Sequence, residues 1–125
     1  MADDDGLGKL IGGHLDTVSF VMDYVEFRID YSILRALNPP RVELYDGTAA
    51  SFPEPGSRDA LCRLIDTEVA QAQVLREKDP PRIEVRTSRG DVLSVSIDHS
   101  DFPESAHLVP ADERGDLLVD EMHIW

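Results

Sequence analysis

A chain of 125 residues, 42% of them hydrophobic, can bury a core of its own, so the sequence predicts a single domain over residues 1–125. The 12 basic and 25 acidic residues give a net charge of −13, which repels nucleic acids and anionic membrane surfaces and argues against both as partners. No run reaches the ~20 apolar residues of a membrane helix, and the acidic residues 1–6, expected to be disordered, lack a signal-peptide pattern, so we expect a cytoplasmic protein.

Alternating apolar and polar residues dominate the first half of the chain and predict strands rather than helices. A short helical segment ends at Gly12-Gly13, and the stretch after it is typical of a hairpin with a tight turn at Asp23. Residues 32–37 fit either a strand or a helical turn, which Asn38-Pro39-Pro40 ends in both cases. The predicted strands are "HLDTVSFVM" (14–22), "YVEFRI" (24–29), "RVELY" (41–45) and "TAASF" (48–52).

The second half begins with the clearest helical pattern in the sequence. Ser57 is a good N-cap for "RDALCRLID" (58–66), where apolar residues recur at helical spacing and Asp59 lies at the positive end of the helix dipole. Alternation then returns, with a turn at "SRG" (88–90). The predicted strands are "EVAQAQVLRE" (68–77), "RIEVRT" (82–87), "DVLSVSI" (91–97), "HLV" (107–109) and a closing strand within "DLLVDEMHIW" (116–125).

Two short patterns occur twice in the chain. "LNPPRVEL" (37–44) recurs as "KDPPRIEV" (78–85), and Leu10-Ile11 before the first strand resembles Leu64-Ile65 before a later one. Either a helix–strand–hairpin unit is duplicated, or short turn-and-strand patterns match by chance. The duplicated units would be residues 7–56 and 57–109. In both cases the elements predict an α+β fold, mostly an antiparallel β-sheet of about seven or eight strands with one or two short helices, curled into a sandwich-like or half-barrel form.

The single cysteine, Cys62, has no partner for an internal disulfide, which fits a reducing compartment. It lies in "DALCRLI" (59–65), an apolar helical context. This position predicts a buried structural cysteine rather than a reactive thiol.

Residues 96–109, "SIDHSDFPESAHLV", form the segment whose composition best suits chemistry. Carboxylates and imidazoles are ligands for zinc and other divalent metals. However, His99 and His107 are eight residues apart, which matches no metal-ligand motif, and three acids in ten positions is mild enrichment in so acidic a chain. The pattern favours a structural loop, with a metal site as the alternative. The candidate metal ligands are Asp98, His99, Asp101, Glu104 and His107.

Motifs of the common enzyme classes do not occur in the sequence. It contains no GxSxG or SxxK serine motif, no GxxxxGK[ST] or GxGxxG phosphate loop and no CxxC pair. We therefore predict no catalytic residue and no cofactor, and a protein that is not an enzyme.

Aromatic residues near strand ends and at the end of the chain predict an interaction surface. Tyrosine and tryptophan bury a large area while keeping a polar group, so they are enriched at interfaces. Trp125 is either a plug that closes the core or an anchor across a dimer. The candidate interface residues are Tyr24, Tyr31, Tyr45 and Trp125.

Several of these segments also occur together in a known family. The chain resembles a widespread family of small bacterial proteins with a domain of unknown function, in which the motifs Leu-Ile-Gly, DYV, RDALC and PEA follow in that order. The resemblance is carried by "LIGGHLDTVSFVMDYVEFRID" (10–30), "DALCRLIDTEVAQAQV" (59–74) and the Pro-Glu after Phe102. The resemblance covers nearly the whole chain and implies no activity, cofactor or catalytic residue. Phe102 replaces the glycine usual before Pro-Glu, and His99 and His107 stand where the family has no fixed histidine, which argues against a metal site on those histidines.

These observations lead to two functional hypotheses. The first is a non-enzymatic, acidic domain that binds another protein or itself, either as a homodimer through an open sheet edge or as an inhibitor or immunity-like protein for a basic partner. The alternative is a small-molecule or divalent-metal-binding domain with hydrolytic activity at the loop of residues 98–107.

Overall fold

The computed structural model describes residues 6–98 and 104–125, and within them ten β-strands pair into one antiparallel sheet. One short helix, α1 (Ser57–Cys62), and two 3-10 turns, Leu7–Leu10 and Val119–Glu121, complete their regular structure. Residues 1–5, part of the segment predicted to be disordered, lie outside the described residues. The strands are β1 (His14–Val21), β2 (Tyr24–Ile29), β3 (Ser32–Ala36), β4 (Pro40–Glu43), β5 (Ala49–Ser51), β6 (Thr67–Leu75), β7 (Arg82–Thr87), β8 (Val92–Ser96), β9 (Ala106–Val109) and β10 (His123–Ile124).

The mostly antiparallel sheet predicted from the sequence is confirmed, but the fold is mostly β, with more strands than the seven or eight expected. The ambiguous residues 32–37 contain β3, where Leu34 and Ala36 point into the core. The predicted closing strand is reduced to the two residues of β10, because a 3-10 turn occupies the residues just before it.

Helix α1 is shorter than its sequence pattern predicted, and its N-cap is a different residue. Gly56 occupies the N-cap with φ of 85°, a left-handed conformation that glycine adopts without steric cost. Ser57 is the first helical residue and its side chain is buried, so the predicted Ser57 cap is wrong. After the helix, Asp66 adopts φ of 73° at the entry to β6. Within the described residues, no helix has the length and apolar character needed to cross a membrane.

The strands follow the order β10-β9-β3-β2-β1-β6-β7-β8-β4-β5. We call β10 to β1 in this order the first sheet half and β6 to β5 the second sheet half; they meet where β1 pairs with β6. β4 follows β3 in the chain but pairs with β8, and β9 follows β8 but pairs with β3. Two connections therefore cross between the sheet halves and tie them together.

The two sheet halves make matching backbone contacts on either side of the β1–β6 junction. Gly12 N donates to Val69 O at 2.7 Å, and Asp66 N donates to Leu15 O, also at 2.7 Å. A β-bulge follows at the same place in each central strand, after Leu15 in β1 and after Val69 in β6. The strand layout thus repeats about an approximate two-fold axis.

This repeat differs from the correspondence that the Pro-Pro-Arg segments suggest. Those segments begin β4 and β7, which hold different places in the two sheet halves. The strands that match are β1 with β6, β2 with β7, β3 with β8 and β9 with β4. Of the two sequence matches, the one between Leu10-Ile11 and Leu64-Ile65 lies at equivalent places, just before the central strands. A duplication of residues 7–56 and 57–109 stays a prediction.

Alternation along the strands places one face of the sheet in the core. Phe27, in the middle of β2, is fully buried, as is Leu61 from α1. In β6 the bulge shifts the alternation by one residue, so the core receives Val69 and then Ala72 in place of Gln71. The sequence pattern alone predicted an uninterrupted period for this strand.

Cys62 is exposed, so the expectation of a buried structural cysteine is wrong. Successive helical residues are rotated by about 100°, and since Leu61 points into the core, the next side chain turns outward. The short helix covers the core with one side only.

We expect Cys62 to react with iodoacetamide in the folded protein nearly as fast as in urea, because its side chain is already exposed. Time courses read by mass spectrometry measure both rates, with Cys62→Ser as the unreactive control. Protection by about 100-fold or more, as expected if labelling required unfolding, would contradict the exposed position.

Candidate functional site

A polar trough runs along β8 on the solvent face of the second sheet half. Its floor consists of the short side chains Val92, Ser94 and Ser96, because alternation sends Leu93 and Val95 into the core. The strands on either side, β4 and β7, carry long charged side chains that form the walls. The trough has a volume of about 480 Å³, and its walls stand two strand spacings apart, roughly 10 Å.

Cross-strand pairing sets which charged residues face each other across the trough. Arg41 and Glu84 both pair with Ser94, so they lie on opposite sides of the same floor residue. Glu43 and Arg86 flank the neighbouring floor position in the same way. Each wall therefore alternates in charge. The wall residues are Arg41 and Glu43 on β4, and Arg82, Glu84 and Arg86 on β7.

Glu84 is the buried centre of the β7 wall, with 5% of its surface exposed. Its Oε1 accepts a hydrogen bond from Nε of Arg86 at 2.9 Å and forms an ion pair with Nη2 of the same side chain, also at 2.9 Å. Its Oε2 lies 3.5 Å from Nε of Arg82. One carboxylate thus holds two guanidinium groups along the trough, which accounts for a charged residue that is almost fully buried.

On the matching surface of the first sheet half, a long side chain stands where the trough has a short one. Arg35 on β3 occupies the position that Ser94 holds on β8. Its Nε donates to Oε2 of Glu26 at 2.6 Å, and its Nη1 donates to Nδ1 of His107 at 3.0 Å, so this one side chain reaches both neighbouring strands. A serine at the position of this arginine is what opens the trough in the second sheet half.

His107, one of the predicted metal ligands, has both ring nitrogens engaged in hydrogen bonds. Because Arg35 can only donate, Nδ1 of His107 is the acceptor and Nε2 carries the proton in the neutral ring. Nε2 then donates to Oε1 of Glu104, a second predicted ligand. The structure thus brings these two residues together as part of a network that begins at Glu26.

The other predicted ligands do not complete a metal site in the part of the chain that is described. Asp98 is exposed, and its carbonyl oxygen accepts a hydrogen bond from Nδ2 of Asn38 at 3.2 Å. His99 and Asp101 lie outside the described residues. Within residues 6–98 and 104–125, no three His, Cys, Asp or Glu side chains group so as to hold a metal ion. A metal site in this loop stays a prediction.

The four predicted interface aromatics differ in exposure. Tyr31 is 56% exposed and Tyr45 57% exposed. Tyr24 is half-buried, and the guanidinium carbon of Arg35 lies 5.9 Å from its ring centroid. Trp125 is 8% exposed and packs in the core cluster, which supports the plug interpretation. The interface role of the tyrosines stays a prediction.

Asp91 braces one end of the trough by joining the β7–β8 hairpin to the end of β4. Its fully buried carboxylate accepts hydrogen bonds from Tyr45 N at 2.9 Å, Thr87 Oγ1 at 2.7 Å and Arg89 Nε at 3.0 Å. Burial raises the pKa of Asp91, but these three hydrogen bonds outweigh burial and hold its pKa below 3.8. The Arg89 guanidinium also lies 4.7 Å from the ring centroid of Tyr45, which closes the brace.

A second depression, of about 310 Å³, is mainly apolar, with a lining that includes Met22, Leu37 and Phe52. The guanidinium carbon of Arg58 lies 5.0 Å from the ring centroid of Phe52 and covers part of this surface. Fewer polar groups converge here than in the trough, so the trough is the better candidate for a specific site.

The trough was not predicted from the sequence, although its residues leave a signal. Serines alternate with apolar residues in "DVLSVSI" (91–97), and Arg-X-Glu occurs in both "RVE" (41–43) and "RIE" (82–84). Each pattern indicates polar side chains on the solvent face of a strand. None of them indicates that the three strands are neighbours in the sheet.

The chain matches no family model, no curated protein and no solved structure. The resemblance to the small bacterial family therefore stays a prediction.

Proposed function

We propose that this chain is a non-catalytic, cytoplasmic binding domain that holds a small ligand in the trough of the second sheet half. The observation that carries the proposal is the contrast between Ser94 and Arg35, which hold the same position in the two sheet halves: the short serine lines the floor of the trough, whereas the arginine extends to Glu26 and His107 on both neighbouring strands. The trough volume of about 480 Å³ falls within the ~300–1,000 Å³ of small-molecule sites. Polar groups from three strands converge on it, as they do where a ligand must be oriented.

The residue types in the trough favour binding over catalysis. Among the residues that the structure describes, its lining contains arginine, glutamate, serine, valine and proline, with no histidine or cysteine. A serine nucleophile needs an adjacent base, and Glu84, the carboxylate paired across strands with Ser94, is already bound by two arginines. The trough therefore offers groups that recognise a ligand rather than groups that break its bonds.

We expect Ser94→Arg to place a long side chain across the trough, where Arg35 lies in the first sheet half, and to weaken ligand binding by about tenfold or more. A thermal-shift panel of carboxylates, phosphates, amines and neutral sugars should contain a class that raises the Tm of the wild-type protein saturably. Ser19→Arg, which adds the same side chain beside Glu26 on the first sheet half, is the matched control and should bind like wild type.

Two outcomes of this panel contradict the proposal. One is that no class raises the Tm of the wild-type protein. The other is a ligand that binds Ser94→Arg as tightly as it binds the wild type.

The acidic excess supports a second candidate function, recognition of a basic protein in an inhibitor or immunity-like role. Several arginines outside the trough are paired with carboxylates, as Arg28 is with Asp16 and Arg63 with Asp46, and the chain has 25 acidic residues against 12 basic ones. Association with basic proteins encoded beside this one should slow steeply as salt is raised. Salt-independent association, or none, would contradict this candidate.

Self-association through a sheet edge has less support. The edge strands β5 and β10 contain three and two residues. Short edge strands limit pairing between sheet edges. A homodimer would therefore have to use another surface, such as the exposed rings of Tyr31 and Tyr45.

A further inference from the structure

The charge of the trough has the opposite sign to the charge of the chain. Within residues 6–98 and 104–125, three arginines and two glutamates line it, which gives these groups a net charge of +1 in a chain of net charge −13. A recess that gathers guanidinium groups attracts anions even when the distant field of the protein is negative. The sign of the trough therefore points to the charge of its ligand.

Glu84 leaves the arginines of its wall able to bind a further anion. Arg86 uses Nε and Nη2 to reach Glu84, so its Nη1 donors stay outside that pair. Arg82 contacts the same carboxylate through Nε at 3.5 Å, a loose contact. Because one buried carboxylate serves two guanidinium groups, the β7 wall keeps an excess of positive charge and of N–H donors.

Arg41, on the opposite wall, is held weakly. Its side chain is 51% exposed, its Nη1 donates to Oγ of Ser51 at 3.2 Å, and its Nη2 lies 3.9 Å from Glu43. An exposed pair at this distance contributes little to stability. The Arg41 guanidinium can therefore turn onto a ligand without breaking a strong interaction.

We infer that the ligand of the trough is a small organic anion, whose carboxylate or phosphate group lies between Arg41 and Arg86 above Val92 and Ser94. This inference rests on the proposed function. Guanidinium groups match the oxygens of carboxylates and phosphates with two parallel hydrogen bonds, and the hydroxyl of Ser94, which pairs with Arg41, can donate to the same group. The size of the trough and the net charge of −13 argue for a small anion rather than a polyanion such as nucleic acid.

Isothermal titration with succinate, inorganic phosphate and neutral succinamide tests the inference. We expect saturable binding of succinate or phosphate and none of succinamide, and the tighter of the two anions identifies the preferred group. Arg41→Gln and Arg86→Gln should each weaken that binding by about tenfold or more, the effect of losing a charge-assisted hydrogen bond. Arg28→Gln, which removes the arginine at the matching place in the first sheet half, should leave it unchanged.

Several results would overturn the inference. They are no binding of either anion, equal binding of succinate and succinamide, unchanged affinity in Arg41→Gln, and an equal loss in Arg28→Gln, which would indicate general attraction of anions. Arg41→Gln decides the matter if Arg86→Gln, which removes a partner of the buried Glu84, fails to fold by circular dichroism. The thermal-shift panel with Ser94→Arg tests ligand binding in the trough separately. A neutral or cationic ligand that binds the wild type and not Ser94→Arg would overturn the inference that the ligand is an anion, and would leave the proposed function standing.

Discussion

We expect Trp125→Ala to lower the free energy of unfolding by about 3 kcal/mol, because it removes a large aromatic side chain from the core. The side chain of Trp125 is buried, with the residue 8% exposed. Its backbone N–H donates to Ala106 O at 2.9 Å, and its backbone carbonyl oxygen accepts from Ser105 N at 2.6 Å. Its backbone thus attaches the end of β10 to β9, while its ring packs in the hydrophobic core. In a domain of this length the loss corresponds to a Tm lower by roughly 10 °C, measurable by calorimetry.

Two control variants separate a core residue from an interface residue. Trp125→Phe keeps most of the buried volume and should lose less stability, and Tyr31→Ala changes an exposed ring and should lose little. Sedimentation velocity reports the oligomeric state in parallel. A wild-type dimer that Trp125→Ala converts to a monomer of unchanged Tm would contradict the position of Trp125 in the core.

We expect Asp91→Ala to lower the free energy of unfolding by about 3 kcal/mol, since it leaves several donors around a buried site without an acceptor. The carboxylate is fully buried and accepts hydrogen bonds from Tyr45 N, Thr87 Oγ1 and Arg89 Nε. Urea unfolding measures the change. Asp120→Ala, at an exposed position in the last 3-10 turn, is the control and should change stability by less than about 0.5 kcal/mol. Equal effects of the two substitutions would show that the brace contributes nothing.

The same brace has a consequence for stability in acid. Because the pKa of Asp91 is held below 3.8 in the folded state, its carboxylate stabilises the fold above that pH. This contribution is lost as the pH falls from 3.8 toward the lower folded-state pKa. The wild-type protein should therefore lose stability more steeply than Asp91→Asn over that range. Parallel pH curves for the two proteins would contradict this role of Asp91.

The sequence predicted the strands well because side-chain alternation is a local property. β2 and β8 were readable in the one-dimensional pattern, since a half-buried strand alternates with a period of two. β3 was ambiguous because its five residues are too few for alternation to be told from one helical turn. The bulge after Val69 was missed because a bulge depends on the partner strand as well as on the strand itself.

The trough could not be predicted, because it depends on pairings between distant parts of the chain. Arg41 and Ser94 are neighbours through the β4–β8 pair, which exists because the chain crosses between sheet halves after β3. Local patterns predicted hairpins between consecutive strands and carried no information about this crossing. His99 and His107 were predicted as ligands because of their residue type, since imidazoles bind metals. The trough consists of common surface residues, and only their arrangement in the sheet makes it a candidate site.

The most direct test of ligand binding in the trough is a titration of ¹⁵N-labelled protein with succinate or phosphate, followed at every backbone amide. Binding in the trough predicts saturable shifts concentrated at Arg41–Glu43, Arg82–Arg86 and Val92–Ser96, with little change at Glu26, Arg35 and His107 on the matching surface of the first sheet half. Shifts of equal size on both sheet halves, or shifts confined to the first, would contradict it.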